Sequence, residues 1–473
     1  MTRFKQEVGD LQHITNDQLP ITKKLMKCIN CGTDNTLKDR TANQGRCKQC
    51  NHPFAFEPTT MGKFQKITDS MFAKIISDLS ANNTLFFTPK QLLYFLDNRL
   101  KKKVSSSISV FIGLYIFFNI WVTGFFGGFS IPILLVLNAV LPIKLPEYTS
   151  FIVVNLIFQL VTIFYLFRET NSPTINHKTR QALARFLQLI GLFVIIAGII
   201  ISVSIVNSFT LFAIAVIIGM MSIYLGTKQV GKVGLVQEFL FSQSEFQQWL
   251  TRWEQINGSL QKILPSPRQE QIAPASINPD VTAYSFDRLV VCDSPNIAQL
   301  LISNNFHFEN NCAVLSINGY PQSIFETTME MLRRNPNLQV FAIHDCSPKG
   351  VSLVHRLRTS ENWFINSDVT IIDVGLLPRQ ILANKRGMFI QNAASLTKKS
   401  TELPLEVRQT LSNEELAWLD AGNFVELESF TPQMLIKVLR SGISGSLNLE
   451  SDDSSMILIG DSGNDIYMVE SFG

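Results

Sequence analysis

Four of the seven cysteines in this chain fall into two C-x2-C pairs, Cys28 with Cys31 and Cys47 with Cys50, with fifteen residues between the pairs. Thiolates at this spacing can converge on one tetrahedral ion, and the intervening length suits a short ribbon of strands. The sequence therefore predicts one structural zinc per chain, held by Cys28, Cys31, Cys47 and Cys50. With all four positions filled by sulfur, no place is left for a substrate water, so such an ion would fold the segment and do no chemistry. The competing reading, four free or disulfide-bonded cysteines, makes the spacing a coincidence and asks a disulfide to persist in a reducing compartment. His52 is at most a spare ligand. Lys27, Arg40, Arg46 and Lys48 lie among the cysteines, and their simpler reading is a solvated basic face.

The rest of the chain must position this ribbon, and its composition is uneven. Ile, Leu, Val and Phe concentrate between Ser105 and Gly226 while charge gathers outside. The formal net charge of +3 argues against a large basic surface for nucleic acid, so any such binding would be local. Residues 1–20 hold no apolar run and no small-residue cleavage pattern, which reads against a secretory signal and for a cytoplasmic N-terminus.

Ser107–Phe126, Phe151–Phe167, Phe186–Val206 and Phe209–Leu225 each run for 17 to 21 residues without a charge. That is the length a helix needs to cross about 30 Å of hydrocarbon. Ile131–Ile143 is too short at 13 residues and is bracketed by Pro132 and Pro142, so it reads as re-entrant or interfacial, with a fifth span as the alternative. Basic residues precede the first span (Arg99, Lys101, Lys102, Lys103), separate the second from the third (Arg168, Lys178, Arg180, Arg185) and follow the fourth (Lys228, Lys232). The positive-inside rule then predicts an even number of crossings with both termini in the cytoplasm, in an inner or plasma membrane. No Asp, Glu, Lys, Arg or His lies within the spans, which speaks against an ion or proton pathway. Asn119, Asn155 and Gln159 are expected to hydrogen-bond between helices.

Ser70–Leu79 repeats apolar residues at helical spacing, and Thr88-Pro89 opens a second helix with Thr88 as N-cap; both helices are expected to bridge ribbon and membrane. Past the spans, Phe246, Trp249, Leu250, Trp253, Ile256, Leu260 and Ile263 recur at steps of three and four, an amphipathic stripe for a partner helix or a membrane interface. Pro265, Pro267, Pro274 and Pro279 mark a linker. The expected organisation is a ribbon with its N-terminal extension (1–60), cytoplasmic helices (61–104), a transmembrane block (105–227) and an amphipathic helix (228–264). A linker (265–283), an α/β domain (284–440) and a poorly patterned tail (441–473) complete it.

The α/β reading rests on short apolar strands at Arg288–Cys292, Cys312–Ser316, Val340–His344 and Val369–Val374, with helical stretches such as Ser323–Arg334 between them, the pattern of a parallel sheet with crossover helices. The order Leu289-Val-Val, Asn318-Gly-Tyr-Pro, Asp345-x-Ser-Pro-x-Gly and Val374-Gly-Leu-Leu-Pro resembles the Toprim domain of the topoisomerase VI A subunit and its meiotic double-strand-break relatives, over roughly Tyr284 to Leu439. The N-terminal run, with the aromatic stretch Pro53-Phe54-Ala55-Phe56, resembles the zinc ribbons of many bacterial membrane proteins. The latter resemblance implies protein or nucleic-acid contacts.

The Toprim resemblance implies a magnesium site made by a Glu ending the first strand and an Asp-x-Asp-Pro-x-Gly run. Carboxylates two residues apart on an extended segment point the same way and suit a hard cation. The glutamate position falls on Cys292, with Asp293 beside it, and the Asp-x-Asp pair falls on Asp345 and Ser347. Two of the three carboxylates are thus replaced by a thiol and a hydroxyl, so magnesium binding is not expected. A winged-helix domain with a nucleophilic tyrosine has no counterpart upstream; Tyr284 and Tyr320 lie inside the domain and read as packing or turn residues. Cys312 and Cys346 read as buried small hydrophobes. His344 reads as structural, with acid or base work as the alternative.

The expected function is therefore a non-catalytic, membrane-anchored binding or scaffold protein. Its degenerate Toprim-like domain would meet a protein partner, a second copy, a nucleotide or nucleic acid. The alternative is a metal-dependent phosphoryl-transfer or nuclease-type enzyme that uses Asp345, Ser347 and Asp293, with Cys292 beside them.

Overall fold

The computed structural model describes residues 25–62, 65–104, 108–140, 146–172, 177–230, 236–267, 287–333, 335, 337–383, 388–445, 457–459 and 467–469. The chain forms two units: one runs to Asp78 and regains Phe241–Gln261, and the other takes Leu79–Leu240 and the chain from Lys262 onward.

In the first unit β1 (Met26–Lys27) and β2 (Asp34–Asn35) pair antiparallel. Thr36 and Asp39 then form a capping box on the helix Leu37–Ala42, satisfying two amides that would otherwise face water alone. The aromatic stretch after the second cysteine pair is buried, and its backbone is fixed by Asp69, whose carboxylate accepts from the amides of Ala55 (2.9 Å) and Phe56 (3.0 Å). Asp69 opens helix α1 (Asp69–Leu79). Phe72 of α1 meets Phe56 at 5.1 Å between ring centroids and Trp253 at 4.8 Å. Trp253 belongs to the helix Gln243–Asn257, whose buried residues are Phe246, Leu250 and Trp253. The amphipathic stripe thus packs on the aromatic core of this unit, where each buried ring is worth about 1.5–3 kcal/mol. The helix is shorter than the 228–264 expected from periodicity: a capping box of Ser242 and Glu245 starts it and Gly258 at φ +86 ends it.

The second unit begins with α2 (Pro89–Val104), where Thr88 accepts from the Gln91 amide at 3.1 Å as N-cap. The two helices expected to bridge ribbon and membrane are therefore divided between the units, α1 in the first apart from its last residue and α2 in the second. Among the described residues, four helices are long and apolar enough to cross a membrane: α3 (Ile108–Phe129), then, beyond the ten-residue α4 (Ile131–Val140), α5 (Tyr148–Thr170), α6 (His177–Ile201, continued by one π turn to Val206) and α7 (Phe209–Val230). Their composition marks a membrane protein. Arg180 and Arg185, which the sequence places between the second and third uncharged runs, lie on the first turns of α6, since hydropathy marks the hydrocarbon-facing part of a helix and not its full length.

α6 and α7 pack closely: a Cβ at Gly191 would lie 2.6 Å from the Gly219 carbonyl and one at Gly198 2.2 Å from Ala215, the close approach that small residues permit. Between α3 and α5 runs a polar ladder. Tyr115 donates to Gln159 (2.7 Å), Gln159 to Asn155 (3.3 Å), and Asn155 to Asn119 (3.0 Å) and Thr123 (2.8 Å).

The C-terminal part holds a four-stranded parallel sheet in the order β4-β3-β5-β6, made of β3 (Arg288–Cys292), β4 (Cys312–Ser316), β5 (Gln339–Ile343) and β6 (Thr370–Asp373). Leu289 stands opposite Ala313 and Val340. Alternate residues feed opposite faces. Leu289, Val291, Leu315 and Ala342 share a core with Leu332 of α9 (Phe325–Arg333) and Leu357 of α10 (Leu353–Thr359). Val290, Cys292, Phe341 and Ile343 share another with Leu300 of α8 (Pro295–Ser303) and Leu435 and Leu439 of the helix Pro432–Gly445. A sheet covered on both faces accounts for the unbroken apolar strands. The helix ending at Gly445 enters the stretch read as an unpatterned tail, and beyond it Ile457–Ile459 pairs antiparallel with Tyr467–Val469. Tyr284 and the linker from 268 to 283 lie outside the described residues.

Candidate functional site

The four cysteines converge. Their sulfurs lie within 4.8 Å of one another, with Cys28 to Cys50 at 3.7 Å and Cys31 to Cys47 at 3.6 Å. Four thiolates around a tetrahedral ion at 2.3 Å stand about 3.8 Å apart, so the cluster fits a metal ion such as zinc. Two similar turns build it. Gly32 N donates to Cys28 O (2.9 Å) and Asn51 N to Cys47 O (3.0 Å), and Gly32 (φ +74) and Asn51 (φ +57) take the left-handed conformation after each pair. Glycine and asparagine adopt that conformation most readily, a signal legible in the sequence and missed there. Burial works to raise the Cys47 thiol, yet the Cys50 and Gln49 amides and the Asn35 side chain bring it down to about 6. His52 turns away, its Nε2 3.1 Å from Asn257 Oδ1.

The second constellation sits at the carboxyl ends of the parallel strands. In the order β4-β3-β5-β6 the chain leaves β3 to one side and returns on the other, so the crevice between the ends of β3 and β5 is the switch point where open α/β sheets bind ligands. Asp293 follows β3 and Asp345 follows β5. Asp293 Oδ2 accepts from the Asp345 amide at 2.9 Å, and Asp345 Oδ1 accepts from the Leu427 amide at 2.6 Å. Burial and the neighbouring Asp293 push the Asp345 carboxyl well above the usual range, against the Leu427 amide. Burial likewise raises Asp293. Asp293 Oδ1 is buried with no hydrogen-bond partner.

The other two positions are engaged elsewhere. Cys292 is fully buried in the core shared with α8, its thiol pushed up by burial. Ser347 caps the single turn Pro348–Val351, its hydroxyl accepting from the Gly350 amide at 3.1 Å. The Cys292 thiol and the Ser347 hydroxyl are thus each engaged within the fold. Gly350 has no left-handed conformation to supply; it is needed because a Cβ there would lie 1.9 Å from the Asp345 carbonyl oxygen. Tyr320 sits in the turn after β4, its amide donating to Ser316 Oγ at 3.1 Å.

His344 is buried between two acceptors: Nε2 lies 3.0 Å from Asp373 Oδ1 and Nδ1 2.9 Å from the Asp345 carbonyl oxygen. Both nitrogens must donate, so the ring is an imidazolium. Burial alone would lower its pKa, but the charge and hydrogen bond of Asp373 lift it to about 9. The ring braces the end of β5 against the end of β6 and has no free nitrogen for acid or base work.

The residues that cover this edge are almost invisible in the sequence. Helix α2 lies against Glu426–Phe430: Lys90 Nζ is 2.6 Å from Glu426 and 3.8 Å from Glu428, Tyr94 donates to Glu426 at 2.5 Å, Thr88 to Glu428 at 2.8 Å, and Gln91 to the Phe430 carbonyl at 2.9 Å. These contacts join positions more than 300 residues apart, and only the Thr88-Pro89 cap leaves a local trace. No family model matches this chain, and neither a curated protein nor a solved structure does.

Proposed function

We propose that this is a multi-pass membrane protein that works as an anchored binding or scaffold protein, with a degenerate Toprim-like domain that has lost its metal chemistry. Four crossings place both soluble regions in the cytoplasm of a cell whose inner or plasma membrane holds the block. The four cysteines hold one structural zinc, and the partner of the α/β domain is a protein or a second copy of the chain.

The observation that carries the reading is the internal use of the matched positions. The Cys292 thiol is spent on the core, the Ser347 hydroxyl on a helix cap and one Asp345 oxygen on the Leu427 amide. A divalent cation has a large dehydration cost that clustered anionic oxygens must offset, and one remaining carboxylate is a poor match. The buried, unpartnered Asp293 Oδ1 favours the enzyme reading, in which Asp293 and Asp345 would hold a cation for phosphoryl chemistry.

Calorimetry of magnesium and manganese with the full-length protein in detergent separates the two. The expected result is no submillimolar binding. Submillimolar binding that disappears in Asp345→Ala would restore the enzyme.

A further inference from the structure

We propose that α2 is a latch through which the membrane block controls access to the Asp293–Asp345 edge of the sheet, with Lys90 as the cation that closes it. The inference goes beyond the binding role and rests on the α2 contacts alone.

The chain on both sides of the membrane block meets the α/β domain at this helix. α2 stands three residues before α3. The segment after α7 returns to it: the Leu240 amide donates to Asp97 Oδ1 at 2.8 Å, and Lys101 Nζ donates to the Glu238 carbonyl at 2.6 Å. Lys101 and Asp97 form an ion pair at 2.7 Å with both side chains at most 1 % exposed, and the Lys101 ammonium lies 4.6 Å above the Phe389 ring. Tyr94 packs on Phe239 and Phe389 at 5.2 and 5.0 Å. Gln237 donates to the carbonyls of Ile390 and Met388. α2 is thus tied to the segment that follows α7, because Asp97 and Lys101 each bond its backbone while holding one another in a buried pair that cannot open without leaving an uncompensated charge.

From α2 the contacts lead to the sheet edge. Thr88, Lys90, Gln91 and Tyr94 hold Glu426, Glu428 and Phe430. The same segment supplies the Leu427 amide to Asp345 and pairs through Val425 with Cys346, by two backbone bonds of 2.9 and 3.0 Å. Asp345 in turn holds Asp293. Glu426, Glu428, Asp345 and Asp293 form an acidic group whose facing cation from α2 is Lys90. With Lys90 withdrawn, Glu426 and Glu428 lose the cation they share, and Glu426–Phe430 is released from the edge and uncovers it.

Cys346 is a native reporter, fully buried beneath this segment, while Cys292 is fully buried within β3. Maleimide labelling of the full-length protein in lipid nanodiscs, read peptide by peptide by mass spectrometry, tests the latch. Lys90→Glu should raise the labelling rate of Cys346 by about tenfold or more, as local opening does without global unfolding, and leave Cys292 protected. Adding Glu426→Lys should restore the slow rate. Tyr94→Phe, which removes one hydroxyl and no charge, should raise the rate in the same direction by a smaller factor. A Cys346 rate unchanged in both single variants, or rising together with that of Cys292, overturns the latch. Magnesium binding in the wild type would overturn the non-catalytic reading and leave this test unaffected.

Discussion

Gly375 faces the His344 imidazole so closely that a Cβ at position 375 would lie 2.3 Å from its Cδ2 and 2.4 Å from its Nε2. The ring cannot step aside, because Asp373 and the Asp345 carbonyl hold both nitrogens. Gly375→Ala should therefore destabilise the α/β domain by about 1–3 kcal/mol, the range for overpacking a closed core. Chemical denaturation followed by the fluorescence of a variant keeping Trp363 and Trp418 as its only tryptophans reads this. An unchanged midpoint would show that the ring has room to move.

The same ion pair makes stability depend on pH. His344 titrates near 6.5 when unfolded and at about 9 in the fold. Because the folded value is raised, the contribution is fully present below pH 6.5 and is lost as the pH climbs through 9. Domain stability should fall across that window, and the fall should shrink in Asp373→Asn, which removes the charge that lifts the imidazole. A wild-type profile that is flat from pH 6.5 to 9 would contradict an imidazolium at this position.

Replacing Cys28 with Ser removes one of four ligands from a cluster whose sulfurs already stand at tetrahedral spacing. Structural zinc contributes on the order of 10 kcal/mol to the folding of small metal domains, so Cys28→Ser should lose the metal and unfold the ribbon. Plasma emission spectrometry of the purified protein should give one zinc per chain for the wild type and a small residue for the variant. Wild type without stoichiometric zinc would refute the assignment.

What was legible in the sequence was local or periodic. The C-x2-C pairs, the uncharged runs and the β-branched strands each carry their structure within a few residues, and each appears as the cluster, the long apolar helices and the parallel sheet. Gly350 shows the limit: its motif was visible, but its reason is the Asp345 carbonyl 1.9 Å from any added Cβ, a relation only the fold creates. The stripe on Gln243–Asn257 fitted a membrane interface as well as a partner helix, because periodicity tells which face is buried and not against what. Phe56 and Phe72 decide it. The contacts of Lys90 and Tyr94 with Glu426 were beyond reach, since charges on a helix face look alike whether they meet water or a partner 336 or 332 residues away.

The last prediction concerns topology. Basic residues precede α3, sit at the facing ends of α5 (Arg168) and α6 (Lys178, Arg180, Arg185), and lie at and just past the end of α7 (Lys228, Lys232), and a single additional crossing would leave these clusters on opposite sides, against the bias that sets orientation. Among the described residues the one shorter apolar helix is α4, and its ten residues cover about 15 Å at 1.5 Å per residue, half the hydrocarbon thickness. Reporter fusions at Pro58 and at Ala275 should therefore both report the cytoplasm. A cytoplasmic signal at Pro58 with an external one at Ala275 would mean an odd number of crossings, and α4 would then have to span with the residues that follow it.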